Sequence, residues 1–355
     1  MTRAPSVLAR TFTTPLLLIA LLAAIAVLFF LFGSGAQQRF VVEMLIRVVL
    51  VVGIWIFVGN SGIISFGHVG FMCLAAYATA WLTIPPMLKQ ISLRGLPDFL
   101  LTNQFPFWPS AFAAALLPAI FALIIGPILM RLAGIAASIA TFAMLAVINT
   151  VYSNWSSVTG GTSSIVGIPT HTTLWVALGF SAGAIVIAWL YAISRSGLAL
   201  RAARDEPIAA QASGVNIERE RLIAFVLSAF VCGAAGVLYA HFLGIITPDA
   251  FFLTATFVAL SMLVVGGMYS LSGAVIGVVV ISTIIQILRW LERGVPLGDV
   301  TVALPNGSQQ IAIGAVMIMI LLFRPAGLMG NRELRLSFRR GPQPAPDREV
   351  RGKPE

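Results

Sequence analysis

Few side chains in this sequence can do chemistry, and most of the usual arrangements for it are missing. A phosphate-cradling loop needs a Gly-rich turn ending in Lys followed by Ser or Thr. The only lysines, Lys89 and Lys353, precede Gln90 and Pro354. The three histidines, His68, His171 and His241, belong to no His/Cys/carboxylate cluster with metal-ligand spacing. Cys73 and Cys232 lie inside apolar blocks, where a small hydrophobic role outweighs a disulfide or a metal site. Neither a G-x-S-x-G elbow nor a carboxylate pair of the catalytic kind is present in the loops. The expectation is a chain that catalyses nothing and holds no metal or cofactor of its own.

Polar chemistry is confined to four stretches that interrupt apolar sequence. The first runs from Gly59 to Gly70 and brings Asn60, Ser65, Gly67 and His68 together with several glycines. Irregular backbone at membrane depth is tolerated only against protein or a water-filled cavity. A discontinuous helix lining a solute path and an ordinary turn with packing glycines are both open readings. The second, from Ser194 to Arg221, carries Arg201, Arg204, Asp205 and Glu206, then Pro207, Ala209, Ala210 and Gly214. Pro207 fits the first turn of a short helix, Asp205 or Glu206 can cap it, and Gly214 fits its end. So small a side-chain surface suits docking better than stability in isolation. The third, Asn154–Pro169, is uncharged and includes Thr159, Gly160 and Gly161, offering hydroxyls and backbone N–H groups. In the fourth, Gly273 and Gly277 have the spacing that lets two membrane helices approach closely. Glu43 and Arg47, four apart, form a self-satisfied helix pair, whereas His241 and Asp249 flank an external end.

The elements that must hold these stretches follow from composition. The chain has 355 residues, 59% hydrophobic and only 10% charged, with a mean hydropathy of +0.97. Soluble domains carry about a quarter charged residues. An all-α, polytopic membrane helix bundle is therefore expected. Runs of spanning length lie near Pro15–Phe32, Phe40–Val58, Val69–Ile84, Ser110–Met130, Leu132–Tyr152, Leu174–Ile193, Leu222–Ile246, Ala255–Met268, Leu271–Leu288 and Gln309–Phe323. That is about ten spans, with broken or re-entrant segments possible, above all within Ala255–Leu288.

A net charge of +9 on a soluble chain would suggest nucleic acid. Here ten crossings put sixteen of the 22 Lys and Arg on one side, in the first thirteen residues, at Arg131, in the Ser194–Arg221 loop and after Arg324. Arg39, Lys89, Arg94, Arg289 and Arg293 fall in the opposite loops. The positive-inside rule then makes both termini cytoplasmic, and no nucleic-acid partner is needed. The resulting organisation is a cytoplasmic segment at 1–13, a transmembrane domain at 14–323, and a basic tail at 324–355. That tail is Pro-rich and expected to be disordered against anionic lipid.

At these stretches the sequence resembles the LivM-type permeases of bacterial branched-chain amino acid ABC transporters. The resemblance is carried by GNSGIISFGHVGF, by RLAGIAASIATFAMLAVINTVYSNWSSVTGGTSSIVGIP, by the SRSGLALRAARDEPIAAQASGVN loop with the helix after it, by VVGGMYSLSGAVIG and by LLFRPAGLMG, in family order. It implies a bacterial inner-membrane subunit paired with a second, LivH-like permease, two LivG/LivF-like ABC ATPases that bind ATP and Mg, and an external solute-binding protein. It also implies that the 194–221 loop is an EAA-like coupling loop, with Ala209, Ala210 and Gly214 on the motif's two alanines and glycine. Ile208 stands where that motif has its glutamate, and Glu206 lies two residues earlier. Asn60–His68 would line the path and Thr159–Gly161 would lie at its outer mouth. Competing readings are a permease for urea or another small polar solute, and an ion-coupled secondary carrier.

Overall fold

The computed structural model describes residues 13–292, 295–297, 300–302, 305, 307–324, 326–330 and 333–334. The amino-terminal segment up to residue 12, Arg293, Arg332 and the tail from 335 lie outside the described residues. The chain folds into helices α1 (Thr13–Phe32), α2 (Gly35–Ser61), α3 (His68–Thr83), α4 (Phe107–Leu129), α5 (Gly134–Asn154) and α6 (Leu174–Ile193). These are followed by α7 (Arg195–Asp205), α8 (Pro207–Ala212), α9 (Ile217–Leu243), α10 (Leu253–Gly266), α11 (Leu271–Glu292) and α12 (Ser308–Phe323). Among the described residues, eight stretches are long and apolar enough to cross a membrane. That is two fewer than the expected ten: α3 and α12 have 16 residues each, short of a full span. Because α3 is buried almost throughout, it is matched to its neighbours rather than to lipid.

The bundle is built around α9, which packs against α4, α2 and α3, while α6 and α11 flank α2. Lipid offers no hydrophobic drive for one apolar helix to leave it for another, so close backbone approach must hold the contacts. A Cβ at Gly236 would lie 2.1 Å from the Met72 carbonyl oxygen, and one at Gly233 would lie 3.0 Å from that of Ala115. The same logic joins α10 and α11 as an antiparallel pair. A Cβ at Gly277 would sit 1.9 Å from the Met262 oxygen, and one at Gly273 2.8 Å from that of Gly266. The outer faces stay apolar, with Phe112, Ile124, Ile128, Ile135 and Ile139 exposed, as a hydrocarbon solvent requires.

One end of the bundle gathers the turns rich in arginine. There Arg221 donates to the Leu132 carbonyl, and Arg204 reaches the carbonyl of Gly59. At the opposite end two short strands, Ile165–Val166 and Ile245–Ile246, pair antiparallel. Lys89 is buried there between two short helices and donates to the carbonyls of Leu100 and Asn103, at 2.9 and 2.8 Å. Burial pushes its ammonium down to about 8.

Three expectations need correction. Arg39 and Arg289 are not in loops but within α2 and α11. Helix α2 begins at Gly35, behind a Ser34–Gln37 capping box, rather than near Phe40, so Glu43 and Arg47 lie more than two turns inside it. The start of the tail, read as disordered, is hydrogen-bonded into the bundle. Leu328 and Met329 donate to the last carbonyls of α10, Val265 and Gly266. Glu333 caps α11 by accepting from the amides of Leu271 and Ser272 at 2.8 and 3.0 Å. Backbone groups freed at both helix ends are thus satisfied by a segment more than fifty residues away, which local composition does not reveal.

Alanine at Gly236 or Gly277 should separate its helix pair and cost about 1–3 kcal/mol or more, seen as a lower apparent Tm of the detergent-purified protein. Alanine at Gly314, which meets nothing within 4 Å, should leave Tm unchanged. Glu333→Ala should uncap α11 and speed proteolysis of the tail, at a cost of about 1.5–3 kcal/mol.

Candidate functional site

The break between α2 and α3 forms because Gly62 takes the left-handed conformation, φ 73°, and closes α2 with its N–H on the Val58 oxygen. The chain then runs without regular structure to Gly67, and α5 supplies the partners it lacks. Ser138 donates to the Ile64 carbonyl at 2.6 Å, and Thr141 accepts from the Phe66 amide at 3.3 Å. His68 is buried among Phe57, Phe71 and Phe225, with Nδ1 2.8 Å from Ser65 Oγ and Nε2 2.9 Å from Ser228 Oγ. Ser228 itself donates to the Phe225 carbonyl, so a neutral ring with its proton on Nε2 satisfies every partner. Asn60 Nδ2 donates to the Ile56 carbonyl, while its Oδ1 has no partner among the described residues. Ser65, Gly67 and His68 are therefore brought together as a buried polar knot, whereas Asn60 is buried at the end of α2 and bonded only within its own helix.

Thr159, Gly160 and Gly161 are not part of it. Thr159 follows α5 and has its hydroxyl within reach of the Tyr152 and Trp155 carbonyls, while Gly160 and Gly161 turn with φ 72° and 62°. Along α5 the two groups are on the order of 20 Å apart, at 1.5 Å per residue from Thr141 to Asn154. They do not make one continuous site.

The 194–216 loop is ordered and projects from the basic end. Ser194 caps α7, Pro207 opens α8 and Gly214 follows it with φ 85°. Glu206 occupies the cap position, but neither it nor Asp205 caps α8 through its side chain, which corrects the expected role. Asp205 pairs instead with Arg204, at 2.9 Å. Among the described residues Glu206 has no side-chain hydrogen bond or ion pair. Ala210 is buried on Ala203 and Ile217, whereas Ile208 is 78% exposed and Ala209 is exposed beside it. Arg201 turns back to the Ala192 carbonyl. Arg204 does more: Nη1 donates to the Gly59 carbonyl at 2.7 Å, its stem fills the space beside Gly62, and its guanidinium lies 4.8 Å over the Tyr269 ring. One side chain thus joins the loop to the α2–α3 break and to the α10–α11 turn.

A second polar feature lies elsewhere, in a cavity of about 340 Å³ between α2, α9, α10, α11 and α12. Its charged lining is Glu43, Arg47, Asp249 and Arg289, with Tyr239, Gln309 and Gln310 nearby. Glu43 accepts from both Arg47 and Arg289, the latter at 3.0 Å. The sequence signals the Glu43–Arg47 pair but not Arg289, whose partner is 246 residues away and which reads as a loop cation. None of the knot or Thr159–Gly161 residues lines this cavity. A larger hollow of about 600 Å³, walled only by apolar residues and glycine, offers nothing to a polar solute.

Comparison with known proteins agrees with this architecture. A family model described as branched-chain amino acid transport system / permease component matches residues 36–321. The chain is 24% identical over 374 aligned positions to the high-affinity branched-chain amino acid transport system permease protein LivM of Escherichia coli (strain K12), covering 95% of this chain and 80% of that relative. It is also 29% identical over 164 positions to the LivH permease protein of Salmonella typhimurium, covering 46% of this chain and 48% of the relative. No solved structure matches. A helical bundle with no phosphate loop, a family model spanning most of its length and relatives of both Liv types lead to one assignment: the chain belongs to the permease-component family of branched-chain amino acid transport systems.

Proposed function

We propose that this chain is the LivM-like permease subunit of an ATP-driven importer of branched-chain amino acids, forming half of the solute path. As a permease component it is not itself an enzyme. Its likeness to both LivM and LivH proteins supports pairing with a second, homologous permease. ATP and Mg bind on separate ATPase subunits, and an external solute-binding protein delivers the amino acid. The chain lies in the bacterial inner membrane with its basic end and both termini cytoplasmic, the orientation that sixteen of 22 cations favour.

The observation that carries the coupling role is the Arg204 joint. Exposed α8 presents Ile208, Ala209 and Glu206, which has no partner among the described residues, to an ATPase, so Glu206 supplies the acidic contact that Ile208 cannot. When the ATPases close, α8 is displaced, and Arg204 passes that displacement to Gly59, Gly62 and Tyr269. The Ser65–His68 knot is the seal next to this joint. Gly67 is packed so tightly that a Cβ would meet the Thr141 carbonyl at 2.7 Å. A small shift of α2 against α5 therefore has to rearrange the knot rather than be absorbed by slack. Thr159–Gly161 belongs to the external face, where the binding protein docks.

Ile208→Arg should strip the ATPase subunits from the purified complex. Arg204→Gln should keep them while radiolabelled leucine uptake falls about tenfold, the effect of losing a charge-assisted hydrogen bond. Normal uptake by both variants would remove the coupling role.

A further inference from the structure

Charges at membrane depth are costly and are retained where a solute or ion passes. Arg47 is the thirteenth residue of the 27-residue α2, so it lies about 18 Å along the helix from its start. It and Glu43 face the cavity between α2 and α11, and Glu43 is already held from both sides by Arg47 and Arg289. That arrangement fixes the Arg47 guanidinium in place while using a single one of its five N–H donors on a described partner. At the same cavity, Asp249 sits in an exposed turn with no side-chain hydrogen bond or ion pair among the described residues. The remaining wall includes Leu50, Val51, Val258 and Ile285.

We infer that this cavity is a way station for an amino acid zwitterion. Arg47 receives the α-carboxylate in its planar fork, Asp249 takes the α-ammonium, and the apolar wall takes an aliphatic side chain. A zwitterion brings both signs, and a site holding one sign alone would leave the other desolvated and unpaired. The volume, about 340 Å³, is at the small end of the roughly 300–1,000 Å³ of small-molecule sites and fits a single amino acid rather than a peptide. This assignment deepens the transport reading and rests on it. It places solute recognition in the permease itself, away from the polar knot and from the external binding protein.

The test uses the full chain expressed with its companion subunits. Asp249→Asn and Arg47→Gln should reach the membrane and hold those subunits normally, yet lower radiolabelled L-leucine uptake about ten- to hundredfold each. Asp249→Glu should restore most of it. If Arg47→Gln fails to insert, Asp249→Asn decides, since that residue is exposed and supports no packing. A second readout bypasses the binding protein. Cys73 and Cys232 are buried, so labelling of this chain, resolved from its companions, reports the cavity wall in a Thr254→Cys variant. L-leucine should slow that labelling, while 4-methylpentanoate and isoamylamine, each with one of its charges, should not. Wild-type uptake in the neutralised variants, or equal protection by the single-charge analogues, overturns the assignment. Should the wild-type complex import no branched-chain amino acid, the transport reading fails. The cavity is then judged by labelling alone, upheld if another zwitterionic amino acid protects Thr254→Cys and overturned if none does.

Discussion

Everything polar in this bundle depends on how closely its helices can approach. In hydrocarbon an apolar helix gains little by exchanging lipid for a neighbour, so contact has to come from backbone meeting backbone. Gly236 allows it between α9 and α3, and Gly277 between α11 and α10. Because α11 in turn flanks α2, Arg289 falls within reach of Glu43, and the charged cavity exists at all. Small residues therefore do indirect work: they set the distances at which the few expensive side chains find their partners.

Those partners are supplied almost wholly from within the chain. The non-helical stretch between α2 and α3 would be intolerable in lipid, but Ser138 and Thr141 accommodate it, and His68 is matched on both ring nitrogens. Such a knot is stiff, because shifting any one member leaves a buried group unpaired. Stiffness beside a joint such as Arg204 favours switching between discrete arrangements over gradual bending.

Much of this was legible in the sequence, and the limits have a physical pattern. Most spans, the close-packing glycines of α11, an interruption within Gly59–Gly70 and the short helix opened by Pro207 follow from local composition and spacing. What local sequence could not show is pairing over long distances. Arg289 reads as a loop cation until α2 is seen beside it, and nothing near His68 in the sequence signals Ser228 as its partner. Polar character alone cannot separate a side chain that serves a solute from one that has already found a partner. Glu333 is the extreme case, a residue in a basic, Pro-rich tail whose role is set by amides of α11.

The tail contact also has a temporal side. Thr14, at the start of the first span, donates to the carbonyl of Leu334, 320 residues later, and Leu334 and Glu333 both meet Ser272. During synthesis the first span enters the membrane long before its partner exists, and the amides that begin α11 stay uncapped until the ribosome has passed residue 334. The tie between the first span and the segment after α12 can therefore form only once both have been made, so this contact at the basic end closes after the helices it joins.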